Sequence, residues 1–198
     1  MAKELEIEYK NMLEQQEYEQ LLSFFQRTEQ EAQKQTNHYF DTLGFELKHQ
    51  HCALRIREKG DYFECTLKIP APEGNFEITD VLSATEAQQI MNGLSFPAPE
   101  VQQALKDLDV DPADLVLIGT LATHRIEFPF ESGLLVLDRS EYMDMTDFEV
   151  EFEVADAALG QQQFLDFLTQ QQIPLRPADK KIARFMAAAN TKPPGNFS

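Results

Sequence analysis

Glu4, Glu6, Glu8 and Lys10 alternate with Leu5, Ile7 and Tyr9. A period of two puts all four charges on one face of a strand. A second acidic row, Asp147, Glu149, Glu151 and Glu153, alternates with Phe148, Val150, Phe152 and Val154. Basic residues recur at the same spacing elsewhere: Arg55 and Arg57, Lys68 two residues after Thr66, and Arg125 between Thr123 and Glu127. Clustered carboxylates offer hard oxygen ligands to a divalent cation. Arginine presents a planar fork to phosphate oxygens, and lysine a compact charge. An ordinary half-buried strand turns such a row to water. Here the charges segregate by strand, which points instead to charged faces that look at one another across a shared interior. A row of like carboxylates repels itself and is relieved by a shared cation.

Strands and helices must hold those rows in place. Leu54 and Ile56 alternate with Arg55 and Arg57, and Gly60-Asp61 is a hairpin signal. Residues 62–69 alternate again, with Cys65 on the apolar side and Pro70 ending the run. Further strands are expected at 39–42, 76–79, 116–128, 134–140 and 147–154. Helices are expected from an Asn11 N-cap, with Glu14 completing a capping box, to about Glu31. Others are expected at 84–93, 99–108, 157–172 and 179–189, and 44–49 reads as a turn and a brief extended piece. About eight strands joined by hairpins or helical excursions, without βαβ alternation, predict an α+β fold. Its centre is a closed eight-stranded antiparallel β-barrel with covering α-helices, since closure removes sheet edges. A single domain over 1–190 is expected, with 191–198 a disordered tail.

Composition narrows the classes. The net charge of -17 argues against binding a nucleic-acid backbone over an open surface. An anionic substrate stays compatible where cations are concentrated locally or a divalent metal intervenes. No apolar run approaches the roughly 20 residues that span a bilayer, and no signal-peptide core is visible. Cys52 and Cys65 lack metal-ligand spacing and read as reduced thiols of a cytoplasmic protein. The four histidines, His38, His49, His51 and His124, are not spaced as a metal site. Asp41 reads as a turn cap.

The run Glu6-Ile7-Glu8-Tyr9-Lys10, with Arg55/Arg57, Thr66-Leu67-Lys68, Arg125, Glu149-Val150-Glu151 and Tyr39-Phe40-Asp41-Thr42, resembles the CYTH superfamily of triphosphate tunnel metalloenzymes, most closely its small single-domain bacterial members. The resemblance runs from Lys3 to about Arg184. It implies an eight-stranded tunnel and Mg2+ or Mn2+ held by Glu6, Glu8, Glu149 and Glu151. Glu153 is an alternative ligand, because the alternating acids permit two registers, and Glu77 and Asp138 are further acidic positions along the tunnel. It implies phosphate contacts from Lys10, Arg55, Arg57, Lys68, Arg125, Lys181 and Arg184. Tyr39 and Lys68 are the candidate catalytic pair, with a glutamate as the alternative base for the attacking water, and the tyrosine hydroxyl is either packed or directed toward Lys68. Two departures bear on the substrate: Thr123-His124 stand where relatives are more basic, and Asp179-Lys180-Lys181 replaces a Ser-Lys pair.

The resulting expectation is a metal-dependent hydrolase of inorganic triphosphate, thiamine triphosphate or a nucleoside triphosphate, a monomer or homodimer without membrane contact. A class IV-like adenylate cyclase and a non-catalytic polyphosphate- or nucleotide-binding module are the alternatives. Glu4 is expected at the rim. Phe24, Phe25, Phe164, Phe167 and Phe185 are expected in apolar packing.

Overall fold

The computed structural model describes residues 3–191. Its eight strands are β1 (Lys3–Leu13), β2 (Gln33–Thr42), β3 (Ala53–Lys59), β4 (Tyr62–Pro70), β5 (Asn75–Leu82), β6 (Leu115–Phe130), β7 (Gly133–Tyr142) and β8 (Met145–Val154). They close into a barrel in the order β1-β5-β4-β3-β2-β6-β7-β8, with every adjacent pair antiparallel. The helices are α1 (Gln15–Phe24), α2 (Glu46–His49), α3 (Ala84–Met91), α4 (Pro99–Asp107), α5 (Ala157–Gln170) and α6 (Lys181–Thr191). This is the expected α+β barrel. Of the expected tail, only Thr191, the last residue of α6, is among the described residues.

The apolar faces are buried on the outside of the barrel. Leu54, Ile56, Cys65 and Leu67 pack under α3 and α4, against Ala87, Ile90, Val101 and Leu105. Phe128, Leu135, Leu137, Val150 and Phe152 pack under α1 and α5, against Leu21, Leu22, Phe164 and Phe167. Fully burying each large apolar side chain contributes about 1.5–3 kcal/mol. The apolar parity of each strand therefore fixes which face remains for the interior. Cys65 is fully buried in this outer layer, and burial pushes its thiol well up. It packs, as its parity predicts.

Several local expectations need correction. Asn11 is not an N-cap: β1 continues to Leu13, and Glu14 caps α1 in a box with Glu17. The Asn11 side chain is instead fully buried. It donates to the Pro174 carbonyl at 3.0 Å and accepts from the Arg176 N–H at 2.6 Å, so it ties the strand to a distant segment. Helix α1 ends at Phe24, with a separate 3-10 turn over Glu29–Glu31. Strand β2 begins at Gln33, six residues before the stretch expected, and Glu46–His49 is a short helix rather than an extended piece. Phe24 is 58% exposed. Asp41 is a cap: its carboxylate accepts from the N–H groups of Thr42, Leu47 and Lys48.

Helix α6 does not lie on the outer wall. Ile182, Phe185 and Ala188 pack with Tyr39, Leu121 and Tyr142 at one end of the barrel. A Cβ on Gly119 would collide with the Phe185 ring, so this glycine is the notch that seats the helix. α6 closes one mouth of the barrel.

Candidate active site: a charged cavity inside the barrel

The inward faces enclose a cavity of about 540 Å³. An eight-stranded barrel is just wide enough for its own side chains or one small ligand, and here charged side chains leave that space. Glu4, Glu6, Glu8, Glu64, Glu77, Glu127, Glu151 and Glu153 line it, against Lys10, Arg55, Arg57, Lys59, Lys68, Arg125, Lys180 and Lys181. Eight acids face eight bases, so the wall is formally neutral in a chain of net charge -17. The negative excess lies elsewhere on the molecule. The wall thus concentrates cations relative to the rest of the chain.

Strand register sets the arrangement. Lys10 is opposite Glu151 and Glu8 opposite Glu153 in the β1–β8 ladder. Lys68 is opposite Glu77, and Arg57 opposite Glu64. Gly74, at φ +79°, lets the β4–β5 turn lie against the Glu6 carbonyl, where any Cβ would collide. The Lys68 ammonium contacts Glu6 directly and Glu77 at 2.6 Å. Lys10 Nζ lies 2.9 Å from Glu151 and 3.0 Å from Glu8. On the opposite wall, Arg57 Nε donates to Asn37 Oδ1 at 3.1 Å. Arg55 Nε is buried and makes no hydrogen bond; its guanidinium is 3.9 Å from Glu77. An unmatched buried donor in a cavity wall is a ready partner for a ligand oxygen.

The closed end is a dense ion-pair network that shares Arg125, Glu151 and Lys181 with the cavity wall. Arg125 forks onto Asp138, with Nε to Oδ1 at 2.9 Å and Nη2 to Oδ2 at 2.6 Å, and also reaches Glu151 at 2.7 Å. Lys181 Nζ sits among Asp138 at 2.9 Å, Glu151 at 2.8 Å and Glu149. Arg184 pairs with Glu149 at 2.9 Å and Asp147 at 2.8 Å. Asp138, Glu149 and Glu151 lie close enough to share a cation, and the Lys181 ammonium supplies that charge. Glu149 does not line the cavity. Of the two registers left open by the alternating acids, Glu151 and Glu153 reach the cavity and Glu149 points behind Lys181.

Protonation follows these surroundings. Burial would raise Glu151, but Lys10 and Arg125 hold it well below the usual carboxylate range. Burial would likewise raise Asp138, which Arg125 and Lys181 hold down. In the cavity the balance differs. Burial raises Glu6 even against Lys68, and burial with neighbouring Glu151 and Glu6 pushes Glu153 up to about 7. Burial, Arg55 and Arg125 push Arg57 down to about 10. Acids that resist ionisation on one wall would be relieved by a bound cation, and a base that resists it on the other by a bound anion. The oxygen-only donor set of Glu6, Glu8, Glu151 and Glu153 suits a hard divalent ion.

The structure brings Glu6, Glu8, Lys10, Tyr39, Arg55, Arg57, Lys68, Glu77, Arg125, Glu151, Glu153 and Lys181 to the cavity. Asp138, Glu149 and Arg184 stand behind it. Tyr39 is opposite Arg55 in the β2–β3 ladder and packs against Leu121 and Tyr142; Lys68 is held by Glu6 and Glu77, so the anticipated Tyr39–Lys68 pair is not formed. Sequence reading passed over Lys59, Glu64, Glu127, Gln35 and Asn37, which also line the cavity. For Lys59 the signal was present, two residues beyond Arg57 on the same face.

A closed barrel with an inward, charge-segregated wall and a helix in one mouth defines a tunnel protein. The CYTH domain family matches residues 4–186, and the chain belongs to it. A Bacillus subtilis (strain 168) protein named "Putative triphosphatase YjbK" is 44% identical over 185 residues, which is 93% of this chain and 96% of that protein. The crystal structure of a Bacillus halodurans protein described as a "putative adenylate cyclase" superposes with a TM-score of 0.90 at 40% identity, covering 93% of this chain and 99% of that one. A Hippeastrum protein, described as a "putative adenylyl cyclase" with a dominant triphosphatase activity, shares the fold at a TM-score of 0.77 and 22% identity, covering 93% and 96% of the two chains.

Proposed function

We propose that this chain hydrolyses a triphosphate held inside the barrel, with a divalent metal on the carboxylate wall. The observation that carries this reading is the buried, unpartnered Arg55 Nε facing carboxylates across one cavity. The naming of the B. subtilis relative as a triphosphatase supports it. Glu6, Glu8, Glu151 and Glu153 would hold the ion; Mg2+ or Mn2+ there would supply positive charge that offsets that of the phosphate oxygens.

The chain's own groups do the rest. Arg55 and Arg57 grip phosphate oxygens through their forks, and Lys10 and Lys68 exchange carboxylate partners for phosphate. Charge developing on the transferred phosphoryl group then meets preorganised donors. A glutamate of the carboxylate wall accepts the proton of the attacking water as general base. The closed-end network orients Glu151 from behind. A cytoplasmic site of action fits the two free, buried thiols.

The test is a panel of tripolyphosphate, thiamine triphosphate and ATP with Mg2+ or Mn2+. Orthophosphate release is expected. Cyclic AMP plus pyrophosphate from ATP would replace the reading with a cyclase. Binding without turnover for every metal would make the chain a binding module.

A further inference from the structure

Strand β6 is longer than its neighbours cover. It pairs with β2 over Leu115–Arg125 and with β7 over Ala122–Phe130. Strand β7 ends at Tyr142, where the chain turns into β8. Among the described residues, therefore, no strand pairs with the second edge of Leu115–Leu121. At the usual rise that edge is about 23 Å long, and its outward N–H and C=O groups form a template for another strand. Proteins guard such edges with lysine, proline or a bulge that twists them away. Leu115–Leu121 reads Leu-Val-Leu-Ile-Gly-Thr-Leu, with neither a charge nor a proline, and Val116, Leu117 and Thr120 are exposed. The β6 bulge, at Ile118, is toward β2. An apolar feature flanks each end of the edge. Beyond Leu121, the β7–β8 turn carries the exposed Met143 and Met145. At Leu115, a groove of about 290 Å³ is lined by Phe40, Ile90, Leu94, Phe96 and Pro112.

We propose that a second copy of this chain covers this edge, by antiparallel pairing of β6 with β6 about a twofold axis near Ile118. Leu115 then lies opposite the partner subunit's Leu121, and Leu121 opposite the partner's Leu115, so the contact closes on itself. Topology places the flanks. In the partner, β7 continues along the same side of β6 that receives this chain, so the partner's Met143 and the partner's Met145 arrive at the Leu115 end, beside the groove. The symmetric contact repeats at the other end. Stable interfaces take roughly 800 Å² per partner, and the two turn-in-groove contacts extend the paired edge toward that area. Two chains of net charge -17 repel one another, and a strand without charge is where they approach at least cost. The contact lies on the outside of the barrel and is independent of what the cavity binds.

Sedimentation velocity and hydrogen exchange on the full chain test this. The wild type is expected to sediment as a dimer, with exchange in 115–121 slowing as protein concentration rises. Leu117→Lys brings two ammonium groups to the contact, one from each chain, and should weaken the dimer about hundredfold or more while circular dichroism shows the barrel intact. Leu159→Lys, on an exposed position of α5, should leave the dimer unchanged. A monomeric wild type overturns the proposal, and so does a folded Leu117→Lys protein that dimerises like the wild type. Protection of 115–121 that is independent of concentration and lost on deletion of 192–198 would place the chain's own C-terminal segment on the edge, and would equally overturn it.

Discussion

The ammonium of Lys181 lies 2.9 Å from Asp138 Oδ2, in contact with a carboxylate that is fully buried. The two residues come from α6 and β7, so one ion pair fastens the helix in the barrel mouth to the barrel wall. Glu149 and Glu151 complete the shell around the same nitrogen.

Removing that charge while keeping its bulk should therefore be costly. Lys181→Met leaves three buried carboxylates short of one cation, a change worth about 3–5 kcal/mol in comparable buried networks. Urea unfolding should show that loss. Added Mg2+ should recover more stability in the variant than in the wild type, because the vacated carboxylates can share an ion. A wild-type midpoint would mean that the network contributes nothing.

The raised Glu153 makes a signed prediction for the metal-free protein. Its folded pKa, about 7, exceeds the ordinary 4.5, so the folded state binds this proton more tightly. Stability is fully present below the ordinary value and is lost as pH rises through 4.5 to 7. Glu153→Gln removes the loss: its Tm should match the wild type near pH 4.5 and exceed it at pH 8. Parallel Tm curves for the two proteins would contradict the burial of this carboxyl.

Gly119 tests the seating of α6. A Cβ there meets the Phe185 ring, and overpacking of this kind costs typically about 1–3 kcal/mol. Gly119→Ala should raise hydrogen exchange in 181–191 with the barrel strands unaffected, and Phe185→Leu in the same chain should restore protection. Unchanged exchange in Gly119→Ala would show that the helix is held without the notch.

Much of this was legible in the chain itself. The barrel, the inward parity of β1, β3 and β8, and the outward parity of Cys65 follow from alternation, because a one-residue slip would exchange the two faces. What escaped was non-local or polar on both sides. Asn11 resembles a cap by its neighbours, and its buried amide is explained only by Pro174 and Arg176, more than 160 residues away. The first half of β2, Gln33 to Asn37, carries no apolar face. Its inward Gln35 and Asn37 line the cavity, and outward Lys34 and Thr36 are not covered by an apolar layer. Glu149 was indistinguishable from Glu153 by spacing, since only the position of Lys181 decides which acids reach the cavity. The resemblance brought Lys181 and Arg184 of the last helix to the phosphates, but the Gly119 notch that receives its Phe185 lies on a distant strand.

Arg55 tests the central claim, that the inward charges form one triphosphate site. Phosphate release from tripolyphosphate with Mg2+ or Mn2+ is to be compared between the wild type and Arg55→Met, with circular dichroism confirming the barrel. Loss of a preorganised donor predicts a fall in turnover of about 10²–10³-fold in the variant. Wild-type turnover in a folded Arg55→Met protein would contradict the account.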